Sequence, residues 1–324
     1  MTGWTEHAVT LNGVRLVVRD HARSGSSGSS GSEPERQSLE EAGTTPSGVA
    51  APAVGSADAD DSDDSTDSGA GRDPRRGEEA GTARPVLLLH GLAGHCGEWD
   101  ATTRWLRERH RVVAFDQRAH GESERRPSDV SRAAYVADVL AVIEAFRLAP
   151  VILVGQSLGG HTAMLTAAAR PDLVRALVMV EASPGRTDAA GTAQVERSLA
   201  SWPVPFASPA TASAFFGGGP AGAAWAAGLE ERADGWWPRF ELDLMVRSLE
   251  EGAARSFWDE WRQVACPALL VLAESGIIPS GDVREMARTR PGTVMARVPG
   301  AGHDVHLEAP DMWRTALTGF LETL

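Results

Sequence analysis

The length, composition and charge of the chain exclude several classes of protein. Its 324 residues are enough to bury a full core in one large domain or two small ones. Although the net charge is −13, no stretch of basic residues interleaved with aromatics is present to bind nucleic acid, and no run reaches the roughly 18 apolar residues of a membrane span.

The cysteine content and the N-terminal segment predict a cytoplasmic protein. Only Cys96 and Cys266 are present, which provides no disulfide framework and is typical of a reducing compartment. The first 21 residues lack the charged and apolar regions of a secretory leader. No group of His, Cys and carboxylate residues has the spacing of a metal site, so we expect neither a metal nor another cofactor.

The first predicted element is a β-hairpin, and a low-complexity segment follows it. Residues 7–11 and 14–18 flank Asn12-Gly13, a pair typical of two-residue hairpin turns. Residues 24–83 contain thirteen acidic residues and four arginines, few aliphatic residues and no aromatics. Such a segment cannot bury enough apolar surface to offset its ordering entropy, so we predict a disordered insertion between two strands.

From Pro85 onwards, predicted strands and helices alternate, which is typical of βαβ units and a parallel sheet. The predicted strands span residues 86–89, 112–115, 151–154, 176–180, 268–272 and 294–298. The predicted helices lie near residues 99–109, 132–147, 158–170, 281–289 and 311–324.

One interval interrupts this alternation and predicts an inserted helical cap. No strand is expected between about residues 184 and 262, and eleven of the nineteen aromatics lie there. We expect these aromatics to line a pocket mouth or to pack on the core. The predicted organisation is an N-terminal hairpin of the core (1–23), the insertion (24–83), the first part of the core (84–183), the cap (184–262) and the second part of the core (263–324).

A serine between two glycines is the strongest single motif. Gly155-Gln156-Ser157-Leu158-Gly159 follows a buried-strand pattern and precedes a helix-forming stretch. A turn tight enough to project a serine side chain needs neighbours without a Cβ, which explains the glycines. The following helix directs its free N–H groups towards the place where an oxyanion would form. The motif therefore predicts Ser157 as a nucleophile.

Three more segments complete a resemblance to the α/β-hydrolase superfamily. They are residues 90–94, 116–123 and 298–303. The first two directly follow predicted strands, and the third begins at the end of a predicted strand and precedes the last helix. The resemblance covers the chain outside residues 24–83 and implies an α/β fold, with a mostly parallel twisted sheet, flanking helices and an inserted helical cap. It also implies Ser157 as nucleophile, His303 as base, and the backbone N–H groups of Leu92 and Leu158 as the oxyanion hole.

The acid that would orient His303 departs from the usual pattern of the family. Members usually place an Asp shortly after the strand matching residues 268–272, but Gly276 stands there in this chain. Some members carry the acid at the end of the preceding strand, where this chain has Glu181. Neighbouring strands lie only about 4.8 Å apart and Glu is one methylene longer than Asp, so we expect Glu181 to reach the imidazole. The alternatives are Glu274, Asp282, a cap residue or no acid.

Several other positions are expected to support the fold rather than the chemistry. The resemblance implies that His90 is structural and fixes the loop beside the oxyanion hole. We expect surface or supporting positions for His95, His120, His161 and His306. Ala119 stands where the family usually has Gly, and alanine costs about 1 kcal/mol or more there if the position needs a positive φ.

These residues together predict a cofactor-free serine hydrolase that cleaves a small, fairly apolar carboxylic ester or lactone. Ser157, His303 and Glu181 would form its triad. One alternative is a C–C bond hydrolase of the same fold, which uses the same Ser-His chemistry. Another is a non-catalytic protein that binds a small molecule under the cap. The expected partner is the small-molecule substrate, with no nucleic acid and no membrane, and the sequence leaves the oligomeric state open.

Overall fold

A single large sheet organises the molecule, whose computed structural model describes residues 4–22, 37–39 and 84–324. Its strands are β1 (Thr5–Leu11), β2 (Val14–His21), β3 (Gln37–Leu39), β4 (Val86–Leu89), β5 (Val112–Asp116), β6 (Val151–Gln156), β7 (Val174–Val180), β10 (Ala268–Ala273) and β11 (Val294–Val298). A separate hairpin contains β8 (Leu229–Arg232) and β9 (Gly235–Pro238). The order across the large sheet is β11-β10-β7-β6-β4-β5-β2-β1-β3. The six strands from β11 to β5 are mutually parallel, whereas β2 is antiparallel to both of its neighbours.

Helices cover both faces of this sheet. They are α1 (Asp100–Leu106), α2 (Arg132–Ala145), α3 (Leu158–Ala169), α4 (Ala189–Ala200), α5 (Pro209–Phe215), α6 (Gly219–Ala227), α7 (Leu242–Ala254), α8 (Trp258–Gln263), α9 (Ser280–Thr289), α10 (Val305–Glu308) and α11 (Pro310–Leu321), with a 3₁₀ turn at Cys96–Trp99. Among the described residues, none of these helices is long and apolar enough to cross a lipid bilayer.

Alternate residues of each central strand pack into two different cores. In β4, Leu87 and Leu89 join the cluster that contains side chains of α2, α3, α8 and α9. Val86 and Leu88 join the cluster formed with α1 and α11. Because both faces are buried, the parallel strands are continuous apolar runs rather than alternating ones. The predicted α/β architecture and all six predicted parallel strands are confirmed, with ends shifted by at most two residues.

The N-terminal hairpin is confirmed, while the insertion after it differs in one place from the prediction. Asn12 and Gly13 have φ values of 51° and 73°, as a two-residue turn of type I′ requires. Most of the predicted disordered insertion lies outside the described residues. However, residues 37–39 form β3, which pairs parallel with β1, so the prediction of disorder is wrong for these three residues. The otherwise open edge of β1 supplies the backbone groups for this pairing.

The prediction that residues 184–262 contain no strand is also wrong. The antiparallel hairpin of β8 and β9 lies in this interval, and Gly235 adopts a φ of 137° as its second strand begins. The Asp234-Gly235 pair is a common hairpin-turn signal, but the surrounding glutamates and tryptophans lack the alternation that identifies a strand.

The aromatics of residues 184–262, the predicted cap, divide between packing among themselves and packing on the core. Trp202 lies 4.7 Å from the Phe216 ring and 5.3 Å from the Phe240 ring, measured between centroids. Phe240 belongs to a cluster that also contains Leu158, the residue after the candidate nucleophile. Trp261 is instead fully buried in the main core beneath α3. The cap therefore rests directly on the elbow.

Ala119 adopts the strained backbone that its position was expected to require. Its φ is 67°, a conformation that costs a residue with a Cβ roughly 1–2 kcal/mol. Its methyl group is fully buried, which stabilises the fold by about 0.8 kcal/mol. Glycine at this position would also destabilise the fold by about 0.4–1 kcal/mol, because it raises the conformational entropy of the unfolded chain.

Because these effects oppose one another, Ala119→Gly is expected to change the free energy of unfolding by less than about 1 kcal/mol. Urea denaturation of the two proteins measures the difference. A stabilisation well beyond that range would mean that backbone strain outweighs the packing of the methyl group.

Candidate active site

Ser157 lies on a strained turn between β6 and α3. Its φ of 50° and ψ of −115° are unusual for a residue with a side chain, and its N–H donates to the carbonyl of Val180 at 2.8 Å. A Cβ on Gly155 would lie 2.3 Å from the carbonyl oxygen of Gly159, and a Cβ on Gly159 would lie 2.3 Å from the carbonyl oxygen of Leu89. The close approach of three backbone segments therefore requires both glycines.

The two amides expected to bind an oxyanion belong to the first residue of α3 and to the turn that follows β4. Helix α3 begins at Leu158, so the N–H of this residue is one of those that a helix leaves without an internal partner. Leu92 lies in the turn that Gly94 closes by donating its N–H to the carbonyl of Gly91 at 3.2 Å. A Cβ on Gly91 would lie 3.5 Å from the Cβ of Ser157, so this turn packs against the elbow.

His90 holds the same turn in place. Its Nε2 accepts the backbone N–H of Gln117 at 3.0 Å, which leaves Nδ1 to donate to the carbonyl of Gly91 at 2.7 Å. The Gln117 side chain in turn donates to the carbonyl of His90 at 2.7 Å. Burial lowers the pKa of His90 to about 4, so the ring is neutral at pH 7 and structural, as the family resemblance implies.

Two of the other histidines are buried in supporting positions, which is one of the two outcomes expected for them. His120 contacts the carbonyl of Arg118 through Nδ1 at 2.8 Å, and burial lowers its pKa to about 3. His306 stacks on Trp99 with ring centroids 4.1 Å apart, and its Nε2 lies 4.0 Å from a carboxylate oxygen of Glu98. Burial also lowers the pKa of His306 to about 3. Both rings are packed in the core as neutral groups.

Glu181 and His303 lie within ion-pair distance of each other. Glu181 directly follows β7 and its side chain is only 1% exposed. Its two carboxylate oxygens accept the backbone N–H groups of Ala273 at 2.7 Å and Ile277 at 2.8 Å. The second of these oxygens lies 3.7 Å from Nδ1 of His303. The backbone carbonyl of His303 also accepts a hydrogen bond from the side chain of Gln156 at 3.2 Å, which links the histidine loop to the elbow.

The glycine at the usual position of the acid is explained by the carboxylate beside it. A Cβ on Gly276 would lie only 2.2 to 2.4 Å from the carboxylate atoms of Glu181. The Glu181 carboxylate, which projects from β7 over the end of β10, therefore fills the space that a side chain at position 276 would need. A residue larger than glycine at this position would displace the carboxylate or its backbone donors.

The two alternative acids contact other partners. Glu274 is exposed, and its carboxylate accepts the backbone N–H of Gly300 at 2.8 Å. The carboxylate of Asp282 accepts the hydroxyl of Ser183 at 2.8 Å. Of the three candidate carboxylates, Glu181 is the one that the structure brings to His303. Within the described ranges, no group of three His, Cys, Asp or Glu side chains could hold a metal ion.

A narrow cleft lies beside the turn that carries Leu92. Core residues 93–95 and Gly121 form one side of the cleft, and the cap contributes Trp202, Trp225 and Phe240 together with Arg239. The lining is mostly apolar and aromatic, with few polar side chains. The enclosed volume is about 10 Å³, the space of a single water molecule, so an apolar group of a ligand would enter only if the cap moved.

Three residues that sequence reasoning missed connect the site to the cap. Asp304, which follows His303, accepts a hydrogen bond from Gln156 at 3.1 Å and one from the indole of Trp225 at 2.8 Å. Burial raises the pKa of Asp304. The positions of Gln156 before Ser157 and of Asp304 after His303 were the available signal, but nothing in the sequence indicates that they touch.

Comparisons with known proteins agree with this architecture. A family model described as alpha/beta hydrolase fold matches residues 84–310. The chain is 29% identical over 253 residues to sn-1-specific diacylglycerol lipase ABHD11 of Mus musculus, covering 74% of this chain and 81% of that protein. It is 28% identical over 259 residues to 2-(acetamidomethylene)succinate hydrolase of Mesorhizobium japonicum, covering 75% of this chain and 90% of that protein. The crystal structure of E-2-(acetamidomethylene)succinate hydrolase matches with a TM-score of 0.72 and 20% identity, covering 98% of this chain and 99% of that one.

Proposed function

Since this chain belongs to the α/β-hydrolase family, we propose that it is a serine hydrolase that cleaves a small apolar carboxylic ester or lactone. The observation that carries the proposal is the 3.7 Å approach of the Glu181 carboxylate to Nδ1 of His303, on a loop that Gln156 links to the elbow of Ser157. A serine hydroxyl is a weak nucleophile until an oriented neutral imidazole accepts its proton. The proposal assigns that orientation to the carboxylate, whose 3.7 Å ion-pair contact with Nδ1 would have to shorten to a hydrogen bond in the substrate complex.

In the proposed mechanism, Ser157 attacks the substrate carbonyl while His303 accepts the hydroxyl proton. The amides of Leu92 and Leu158 stabilise the negative charge that develops on the carbonyl oxygen. Glu181 stabilises the imidazolium, which then protonates the leaving alkoxide. Water, activated by His303, releases the acyl group and regenerates Ser157.

The apolar lining of the cleft and the name of one relative support the substrate class. A lining of cap aromatics beside the oxyanion turn favours an apolar acyl or alcohol group. One relative is named as a lipase, which agrees with an ester that has an apolar part. Another is named as a hydrolase of a substituted succinate, which is a dicarboxylate and therefore a more polar substrate. A C–C bond hydrolase uses the same side chains, and a binding protein needs no oriented nucleophile. Ester turnover and labelling of the serine, measured together, therefore distinguish all three.

The test measures turnover by the purified full-length chain of p-nitrophenyl esters with acyl chains of increasing length. We expect turnover that is fastest for short chains, and labelling of Ser157 by a fluorophosphonate probe, located by peptide mass spectrometry. The Ser157→Ala variant serves as the unlabelled control. Absence of both turnover and labelling would refute the serine hydrolase proposal, whereas labelling without ester turnover would favour the C–C bond hydrolase.

A further inference from the structure

The cap helix α6 is hydrogen-bonded to the loop that carries His303. The indole N–H of Trp225, on α6, donates to one carboxylate oxygen of Asp304 at 2.8 Å. The other carboxylate oxygen accepts the side-chain amide of Gln156 at 3.1 Å. We call this chain of three residues, Trp225, Asp304 and Gln156, the Asp304 bridge.

The same side chain of Gln156 connects the bridge to the catalytic histidine and to the oxyanion turn. Its amide nitrogen also donates to the carbonyl of His303 at 3.2 Å. A Cβ on Gly91 would lie 2.0 Å from the amide oxygen of Gln156, so the turn before Leu92 packs directly on this side chain. Gln156 is only 2% exposed, and its contacts leave it little freedom to move independently.

A second hydrogen bond attaches α6 to the oxyanion turn. His95 accepts the backbone N–H of Gly97 on Nδ1, so its Nε2 carries the proton and donates to the carbonyl of Ala224 at 2.9 Å. A Cβ on Gly228 would lie 2.5 Å from the His95 ring, which shows how closely the end of α6 approaches it. Helix α6 is thus hydrogen-bonded through Trp225 to the His303 loop. Through the preceding residue, Ala224, it is hydrogen-bonded to His95, which follows the turn that carries Leu92.

We infer that Asp304 is a positioning residue that places His303 for catalysis when the cap helix α6 is docked. From its place on the histidine loop, the carboxylate contacts both the cap and the elbow strand. Displacement of α6 removes the Trp225 hydrogen bond and frees the loop to move relative to Ser157. Small displacements of a catalytic base are costly, since a shift of about 1 Å lowers rates by about 10²-fold. This inference rests on the proposed function.

The kinetic test compares the full-length chain with Trp225→Phe and Asp304→Asn on p-nitrophenyl acetate. Phenylalanine keeps an aromatic ring against Trp202 but has no N–H to donate, and asparagine turns an NH₂ group towards one of the two donors. We expect kcat to fall by about 10- to 100-fold in both variants, with KM within about threefold of wild type. The double variant is expected to be little slower than the worse single variant, because both changes break the same bridge.

The matched control is Trp237→Phe, which removes an indole–carboxylate hydrogen bond of similar length within the cap hairpin. Trp237 donates to Asp234 at 2.9 Å, and this pair does not contact the histidine loop. We expect its kcat and KM to match wild type. A Trp225→Phe variant that behaves like this control, or that raises KM alone, would overturn the positioning role.

Amide hydrogen exchange tests the bridge independently of activity. Trp225→Phe and Asp304→Asn are expected to accelerate exchange in residues 219–227 and 302–307 together, whereas Trp237→Phe leaves both segments as in wild type. If wild type cleaves no ester, the proposed function fails and the exchange result still decides the bridge. Unchanged exchange of both segments in the two bridge variants would overturn it.

Discussion

Replacement of Glu181 by Gln is expected to lower kcat by about 10²–10⁴-fold with little change in KM, by analogy with loss of the triad Asp in serine proteases. In the proposed mechanism, the substitution removes the negative charge that orients His303 and stabilises its protonated form. Steady-state kinetics on the best ester of the chain-length series, together with thermal unfolding, measure the effect. Unfolding matters because the amide NH₂ of glutamine would face one of the backbone N–H groups of Ala273 and Ile277, which costs about 1–3 kcal/mol.

Glu274→Gln is the matched control for this experiment. Glu274 lies in the segment where the family usually carries the acid, yet its carboxylate is exposed and accepts only the Gly300 N–H among the described contacts. We expect its kcat to stay close to wild type. If Glu274→Gln lowered kcat and Glu181→Gln did not, the acid would have to be reassigned to Glu274.

The second large effect concerns stability and the buried ion pair between Arg118 and Asp138. The guanidinium donates two hydrogen bonds of 2.6 Å to the carboxylate, and the two side chains are only 4% and 1% exposed. Asp138→Ala leaves the arginine charge buried without its partner, which destabilises a protein by about 3–5 kcal/mol. Denaturant unfolding of the variant measures the loss, and we expect reduced yield of folded protein as well.

An exposed pair of the same residue types provides the comparison. Arg126 and Asp243 form a similar two-bond contact, but their side chains are 58% and 55% exposed. Asp243→Ala is expected to have a much smaller effect on unfolding, since water solvates the arginine once its partner is removed. Equal losses in the two variants would show that burial does not determine the strength of the Arg118 contact.

The sequence predicts those parts of the fold and the site in which burial or local backbone geometry restricts which residue type can occupy a position. The apolar runs of the parallel strands and the glycines at 155 and 159 follow from burial on two faces and from a turn without space for a Cβ. Asn12-Gly13 likewise specifies its own turn. Glu181 could be proposed as the acid because it follows β7, which pairs with β10, the strand after which the family usually carries the acid. The order of strands in the family implies this pairing.

The features that the sequence does not predict depend on contacts between distant segments. The Asp304 bridge joins residues 156, 225 and 304, and no local pattern relates their positions. The ion pair of Arg118 with Asp138 has the same character, because either residue alone reads as an ordinary surface charge. The hairpin at β8 and β9 was missed for another reason: its strands are only four residues each and lack an alternating pattern.

The contact between Gly276 and Glu181 restricts how this enzyme could evolve. A change of Gly276 to Asp, which restores the common arrangement, would force a Cβ into the carboxylate of Glu181 and bring two negative charges together. Losing Glu181 first would leave His303 without either acid. If Glu181 is the acid, as proposed, each single step from one arrangement to the other therefore passes through an impaired protein, and both residues would have to change together.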